Sequence, residues 1–344
     1  MAAGWRGTQP QAAVKAAAID PQQASTLVRE LCSAVRELGG PPSGGERAAA
    51  LLRLLGLAAV LLGGAGLYWT LPLGWGAIAA VLLAGVAYAL LLVATHEMVH
   101  GTLIGQPGLE QPLACLLSWP MAWPYLTYSR LHRLHHRWNG LDGRDPERTT
   151  PLESELKEAG PLRRWLQRRR VVVRIVALAG VGLIADTALK GIGLQGVDGA
   201  LKRARLVDGV GVVLVHATML VVAIEQGVVG RYLLFWLLLE RVIGAIVQAR
   251  GLVEHHGLWE AQGNHLLTQL YGSRSVEASP IVNALMGGLP HHSAHHAFPW
   301  ISSGRLPEAS QRIAAVLARH GAAGLPTAKG YGQALQELGR GEKG

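Results

Sequence analysis

The sequence predicts an all-α integral membrane protein, with four transmembrane helices arranged as two hairpins beneath a cytoplasmic helical cap. Three observations carry this reading. Half of the 344 residues are hydrophobic and only 16% are charged, and the apolar residues fall in two long blocks. Lysine and arginine are concentrated outside those blocks. Of the 14 histidines, all but His216, His265 and His320 lie in four patches that this topology places on one side.

Residues 1–47 read as a cytoplasmic N-terminal segment. Gln, Lys, Arg and Pro interrupt it, so no secretory signal is expected. Asp20-Pro21 marks the start of a short helix that stops at Gly39-Gly40-Pro41. Residues 51–95 contain a single charge, Arg53, with Pro72 near the middle. At about 1.5 Å per residue this block makes two spans with a turn at residues 70–74. Residues 111–128 are apolar but broken by Pro120 and Pro124, and suit a half-buried segment with Trp119 and Trp123 at the headgroups. The arginine-rich run at residues 163–170 abuts lipid-facing sequence, so no nucleic-acid partner is expected. Residues 175–185 are apolar but too short to span, and read as an interfacial helix. Residues 209–249 form the second hairpin, turning at residues 225–231. A membrane domain over residues 48–310 then gives way to a cytoplasmic tail, residues 311–344, with one surface helix near residues 306–320.

The first turn carries no Lys or Arg and the second only Arg231. Both termini, the central loop and all four histidine patches are therefore expected in the cytoplasm. The net charge of +9 follows from those loops facing anionic lipid; a docking face for an acidic redox partner is the alternative. Cys32 and Cys115 alone fit a reducing compartment and are too few for an iron–sulfur cluster. Inside the fourth span, Glu240 and Arg241 read either as a polar contact near a substrate tunnel or as an ion pair that fixes packing. His216 reads as a packing histidine, and His265 and His320 as surface residues.

The patches are His96/His100, His132/His135/His136, His255/His256 and His291/His292/His295/His296. Residues i, i+3 and i+4 of a helix share a face, so the H-x-x-x-H and H-x-x-H-H spacings each aim two or three imidazoles at one spot. Four converging patches offer more nitrogens than one metal uses, which argues for two metals. Glu97, Asp142, Asp145 and Glu254 lie close enough in sequence to orient imidazole N–H groups; Glu97 facing headgroups and Asp145-Pro146 forming only a turn are the plain alternatives.

These patches, in this order, resemble the histidine boxes of the membrane fatty-acid desaturase superfamily, which also holds carotenoid hydroxylases, ketolases and alkane hydroxylases. The resemblance covers residues 50–310. His96-Glu97-Met98-Val99-His100 is similar to the first box. His132-Arg133-Leu134-His135-His136, trailed by Asp145-Pro146, is similar to the second, and His292-Ser293-Ala294-His295-His296, trailed by Phe298-Pro299, to the third. Glu254-His255-His256 resembles a further element that often has Asn four residues before its histidine, where this chain has Gly251. Either His255 or His256 is then the ligand, with alignment favouring His255, and His256 and His291 stand beside the ligands.

The resemblance implies two iron ions and O2 as co-substrate. The expected ligands are His96, His100, His132, His135, His136, His255, His292, His295 and His296. The leading expectation is an acyl-lipid desaturase, with a lipid, carotenoid or alkane hydroxylase or ketolase on the same scaffold as the alternative. No haem, flavin or cysteine cluster is fused, so electrons come from a separate ferredoxin, rubredoxin or cytochrome b5-like donor. High Gly content and the separate donor point to a bacterial inner membrane. Two readings from other classes compete. His96-Glu97-x-x-His100 also matches the zinc-peptidase motif, with Leu141-Asp142-Gly143 as the source of a third ligand, and a non-catalytic metal-binding protein would need no chemistry at all.

Overall fold

The computed structural model describes residues 21–169 and 171–341; Asp20 and Arg170 lie outside the described residues. The chain order is α1 (Pro21–Val35), α2 (Gly44–Thr70), α3 (Trp75–His100), α4 (Pro107–Ser118), α5 (Tyr125–Trp138), α6 (Glu153–Glu158) and α7 (Pro161–Arg168). A π-helical stretch, Val172–Leu178, leads into α8 (Ala179–Gly193). Then come α9 (Ala200–Glu225), α10 (Val229–His255), α11 (His265–Tyr271), α12 (Pro280–Leu285), α13 (His292–Ala297), α14 (Leu306–Arg319) and α15 (Tyr331–Gly341). The strand pairing among the described residues is a two-residue parallel match of β1 (Ser275–Val276) with β2 (Thr327–Ala328).

Ser43 and Glu46 start α2 with a reciprocal capping box, and Pro72 separates it from α3. Helix α3 is the centre of the bundle. In its most apolar stretch 67% of residues are buried, against 11% for α2, because α3 packs between α2 and α10. Leu52, Leu55 and Leu62 on α2 and Val213 and Leu214 on α9 stay exposed, as lipid-facing positions must. At the end opposite the histidines, the Tyr68 hydroxyl donates to the Arg231 carbonyl at 2.8 Å. The Arg231 guanidinium donates to the Leu71 carbonyl at 2.6 Å. The one cation of the second turn thus ties the two hairpins together.

Among the described residues five helical runs, where four were expected, are long and apolar enough to cross a membrane: α2, α3, Val172–Gly193, α9 and α10. The sequence reading ended the third of these at residue 185, before Asp186. The helix continues to Gly193 because Lys190, one turn on, pairs with Asp186 at 2.6 Å. Yet the run is not straight. Ala179 has a φ of 41°, and Arg174 reaches within 3.8 Å of Asp186. Twelve residues of straight helix would separate those two by about 18 Å, beyond the reach of both side chains, so the run doubles back at Ala179.

Helix α10 grips the bend. Arg241 donates to the carbonyls of Ala177 and Leu178 at 2.8 and 2.9 Å, and the Glu240 carboxylate accepts from the Val181 N–H at 3.2 Å. Glu240 and Arg241 also pair with each other, so this intramembrane pair organises packing. A Cβ on Gly244 would sit 1.8 Å from the Gly180 nitrogen, a backbone-to-backbone approach that only glycine permits. Gly244→Ala is expected to force the bend off α10 and destabilise the protein by about 1–3 kcal/mol or more, as overpacking does. A lower thermal midpoint with new protease cleavage near residue 179 is the expected readout; an unchanged midpoint would place the bend elsewhere.

Outside the bundle, α1, α13 and α14 enclose a second core around Leu27, Leu31, Phe298, Ile313 and Leu317. The helix expected near residues 306–320 is present as α14, with its apolar face buried on α1 and α13. His216 donates to the Trp119 carbonyl at 3.2 Å, and His265 and His320 are exposed.

Candidate metal centre

Four elements bring the histidines together at one end of the bundle. Helix α3 contributes His96 and His100 in its last turn. Gly101 then adopts φ 67° and turns the chain away. Helix α5 contributes His132, His135 and His136, the end of α10 His255, and the short helix α13 His292, His295 and His296. The imidazole nitrogens of His96, His100, His132, His136 and His295 lie within 4.8 Å of one another. A second group holds His135, His255 and His296, and a third, sharing His255, adds His292 and Glu254. Helices α5 and α13 straddle the two positions, because one face of each offers residues i and i+4 while the intervening or following residue points to the neighbouring group. His136 stacks on His296 across the boundary, ring centroids 4.3 Å apart.

Hydrogen bonds at the outer nitrogens set the tautomers. Nδ1–H of His135 donates to Asp145 at 2.8 Å, that of His132 to Glu147 at 2.7 Å, and that of His296 to Gln269 at 3.1 Å. His255 donates to the Gly272 carbonyl at 3.4 Å. Their Nε2 lone pairs therefore point inward. Nε2 atoms of His255 and His292 lie 2.9 Å apart, and those of His132 and His136 3.0 Å apart. Inner nitrogens of His96, His100, His295 and His296 are buried without a hydrogen-bond partner. Buried polar atoms are rarely left so, and converging lone pairs with no protons between them are what a metal ion satisfies. The donor set fits two metal ions held mainly by imidazole.

The electrostatics agree. Burial holds His136, His292, His295 and His296 well below the ordinary imidazole pKa, and neighbouring imidazoles push the same way, so these rings are neutral and competent as ligands. At His135 burial is outweighed by the Asp145 and Glu147 carboxylates, which raise it. Desolvation opposes the charged form of Glu147, yet His132 and His135 beside it hold its carboxyl well below the usual range.

The structure gathers all nine histidines expected as ligands. Asp145 faces an imidazole, whereas Asp142 is bonded to Arg144 at the surface at 2.6 Å and reaches none. Glu97 pairs with Arg53, away from the His96 nitrogens. His291 meets Ser310 at 3.0 Å, and His256 stands outside the ligand groups, its carbonyl 3.4 Å from Arg274. Two supporting residues escaped the sequence reading. Glu147, two positions past Asp145, was visible as a further acid in the same turn. Gln269 had no signal in the sequence: it joins His296 to the backbone carbonyl of Asn139 at 3.2 Å, and only folding brings α5, α11 and α13 to one point. Neither Asp142 nor Glu97 stands where the peptidase reading requires a third ligand and a general base.

A family model described as fatty acid desaturase matches residues 73–325, which takes in every histidine of both groups. No curated protein matches the chain.

Proposed function

From the premise that this chain belongs to the fatty acid desaturase family, we propose that it is an O2-dependent di-iron membrane oxidoreductase that introduces a C=C bond into an acyl chain. The observation that carries this is the pair of histidine groups with inward lone pairs. His96, His100, His132, His136 and His295 would hold one iron, and His135, His255, His292 and His296 the other. Two irons so held supply the redox steps that activate dioxygen against an unactivated C–H bond.

The chain's own residues do the rest. Asp145, Glu147 and Gln269 hold ring orientation, and the buried groups exclude water. A cleft reaching His255 and Glu147 is walled by Leu131, Leu183, Val247 and Leu252, and also by Arg174 and Lys190. Apolar walls suit a lipid or acyl chain, and Asp186 in the same lining matches the charge of Lys190. Electrons come from a separate ferredoxin, rubredoxin or cytochrome b5-like protein.

Parity supports four membrane crossings. His136 and His255 meet at one end of the bundle, so the chain between them crosses an even number of times. Helices α9 and α10 cross, and the folded Val172–Gly193 run enters and leaves on the histidine side. That side is the cytoplasmic one by its basic loops, in a bacterial inner membrane.

The test is product analysis of iron-loaded protein in lipid, given an acyl-lipid substrate and a reduced donor. A product lighter by two hydrogens is expected, and negligible turnover with NAD(P)H alone. Gain of one oxygen atom would move the assignment to a hydroxylase, since both outcomes share the first hydrogen abstraction and differ in substrate placement. One zinc and no activity after iron loading would overturn the reading.

A further inference from the structure

We propose that Glu254 is itself a ligand of the second metal position, which is then built from four imidazoles and one carboxylate; this rests on the two-metal reading above. The Glu254 side chain is buried, and one of its oxygens lies 3.4 Å from Nε2 of His292. That oxygen and the inner nitrogens of His255 and His292 fall within 4.8 Å of one another. Neither carboxylate oxygen has a hydrogen-bond partner. Arg250 approaches to 3.3 Å without forming one. A buried carboxylate left so costs much, and a cation at the point where the His255 and His292 nitrogens converge would satisfy it.

Each of the other carboxylates near the centre has an oxygen engaged elsewhere. Asp145 and Glu147 accept from outer imidazole nitrogens, and Glu97 accepts from Arg53. One turn before His255 the residue is Gly251, with nothing within 4 Å of where its Cβ would stand. Gly251 has no side chain to offer the metal position, and the acceptor that α10 presents there besides His255 is the adjacent Glu254 carboxylate. The first position has imidazole donors alone and the second a mixed set, so the two irons are inequivalent. A hard anionic oxygen donor favours the more oxidised ion, which places the harder iron at the second position, beside the cleft that reaches His255.

Mössbauer spectra of 57Fe-loaded full-length protein, with iron per chain, test this in wild type, Glu254→Ala, Glu254→Gln and Arg250→Met. Two distinct iron signals of equal area are expected in wild type. Glu254→Ala should lose or shift one of them and leave the other unchanged. Glu254→Gln, which keeps the volume and so guards against misfolding, should shift the same signal, and Arg250→Met should retain both irons. Unchanged signals in both Glu254 variants would overturn the assignment, as would an equal loss in Glu254→Ala and Arg250→Met, which would make the pair purely structural. A wild-type protein without a pair of metals would overturn the two-metal reading, and this inference with it.

Discussion

Replacing His135 with alanine is expected to reduce turnover to background while the chain remains inserted and folded. His135 is tied on both sides: its Nδ1–H donates to buried Asp145, and its Nε2 stands 3.3 Å from Nε2 of His255. The substitution would remove one proposed ligand of the second position and leave Asp145 with the Glu147 N–H as its hydrogen-bond donor at 2.9 Å, so the carboxylate keeps a donor and the fold is expected to survive. Helix α5 keeps His132 and His136 in the first position, so partial iron retention accompanies complete loss of activity. Product formation, iron content and protease protection of the membrane helices, measured together, check this. Retained iron and turnover would remove the α5 patch from the centre.

Glu147→Ala is expected to weaken metal retention by roughly 10- to 100-fold, the usual effect of losing a partner that orients a ligand. Asp142→Ala, a few residues away, should change nothing. The difference lies in where the carboxylates point: Glu147 accepts from His132 at 2.7 Å, while Asp142 bonds only the nearby Arg144 and the Arg144 backbone. Iron release to a chelator, followed over time for both variants, separates them. Equal behaviour would mean that ring orientation at His132 is set by packing alone.

These two acids show how far local sequence carries. Both lie in the charged segment after the second patch, and both could have turned toward a ring. Spacing on a helix determines a direction, which is why His132, His135 and His136 were readable as inward groups. A loop has no such period, and the choice of Glu147 over Asp142 is made by how the segment after α5 folds back on it. Gln269 is a stronger case, since its value depends on three helices distant in sequence meeting at His296.

The membrane helices divide the same way. Apolar runs and proline breaks sufficed to place α2, α3, α9 and α10 and both hairpin turns. The Val172–Gly193 run was misjudged in length because Asp186 looked like an end; its charge is matched by Lys190, and the bend at Ala179 depends on Glu240, Arg241 and Gly244 of another helix. Composition counts five helices of membrane length, and only the contacts of the third show that it doubles back.

The amino-acid pattern was enough for a helical membrane protein with nine histidines placed to bind metal, drawn from four patches, because hydrophobic run length and helical periodicity are local properties. Which imidazoles share a metal position, which acids and amides orient them, and where the Glu254 carboxylate lies were decided only by the tertiary structure. Those depend on directions and on distances of a few ångströms between elements far apart in the chain, and no local pattern encodes them.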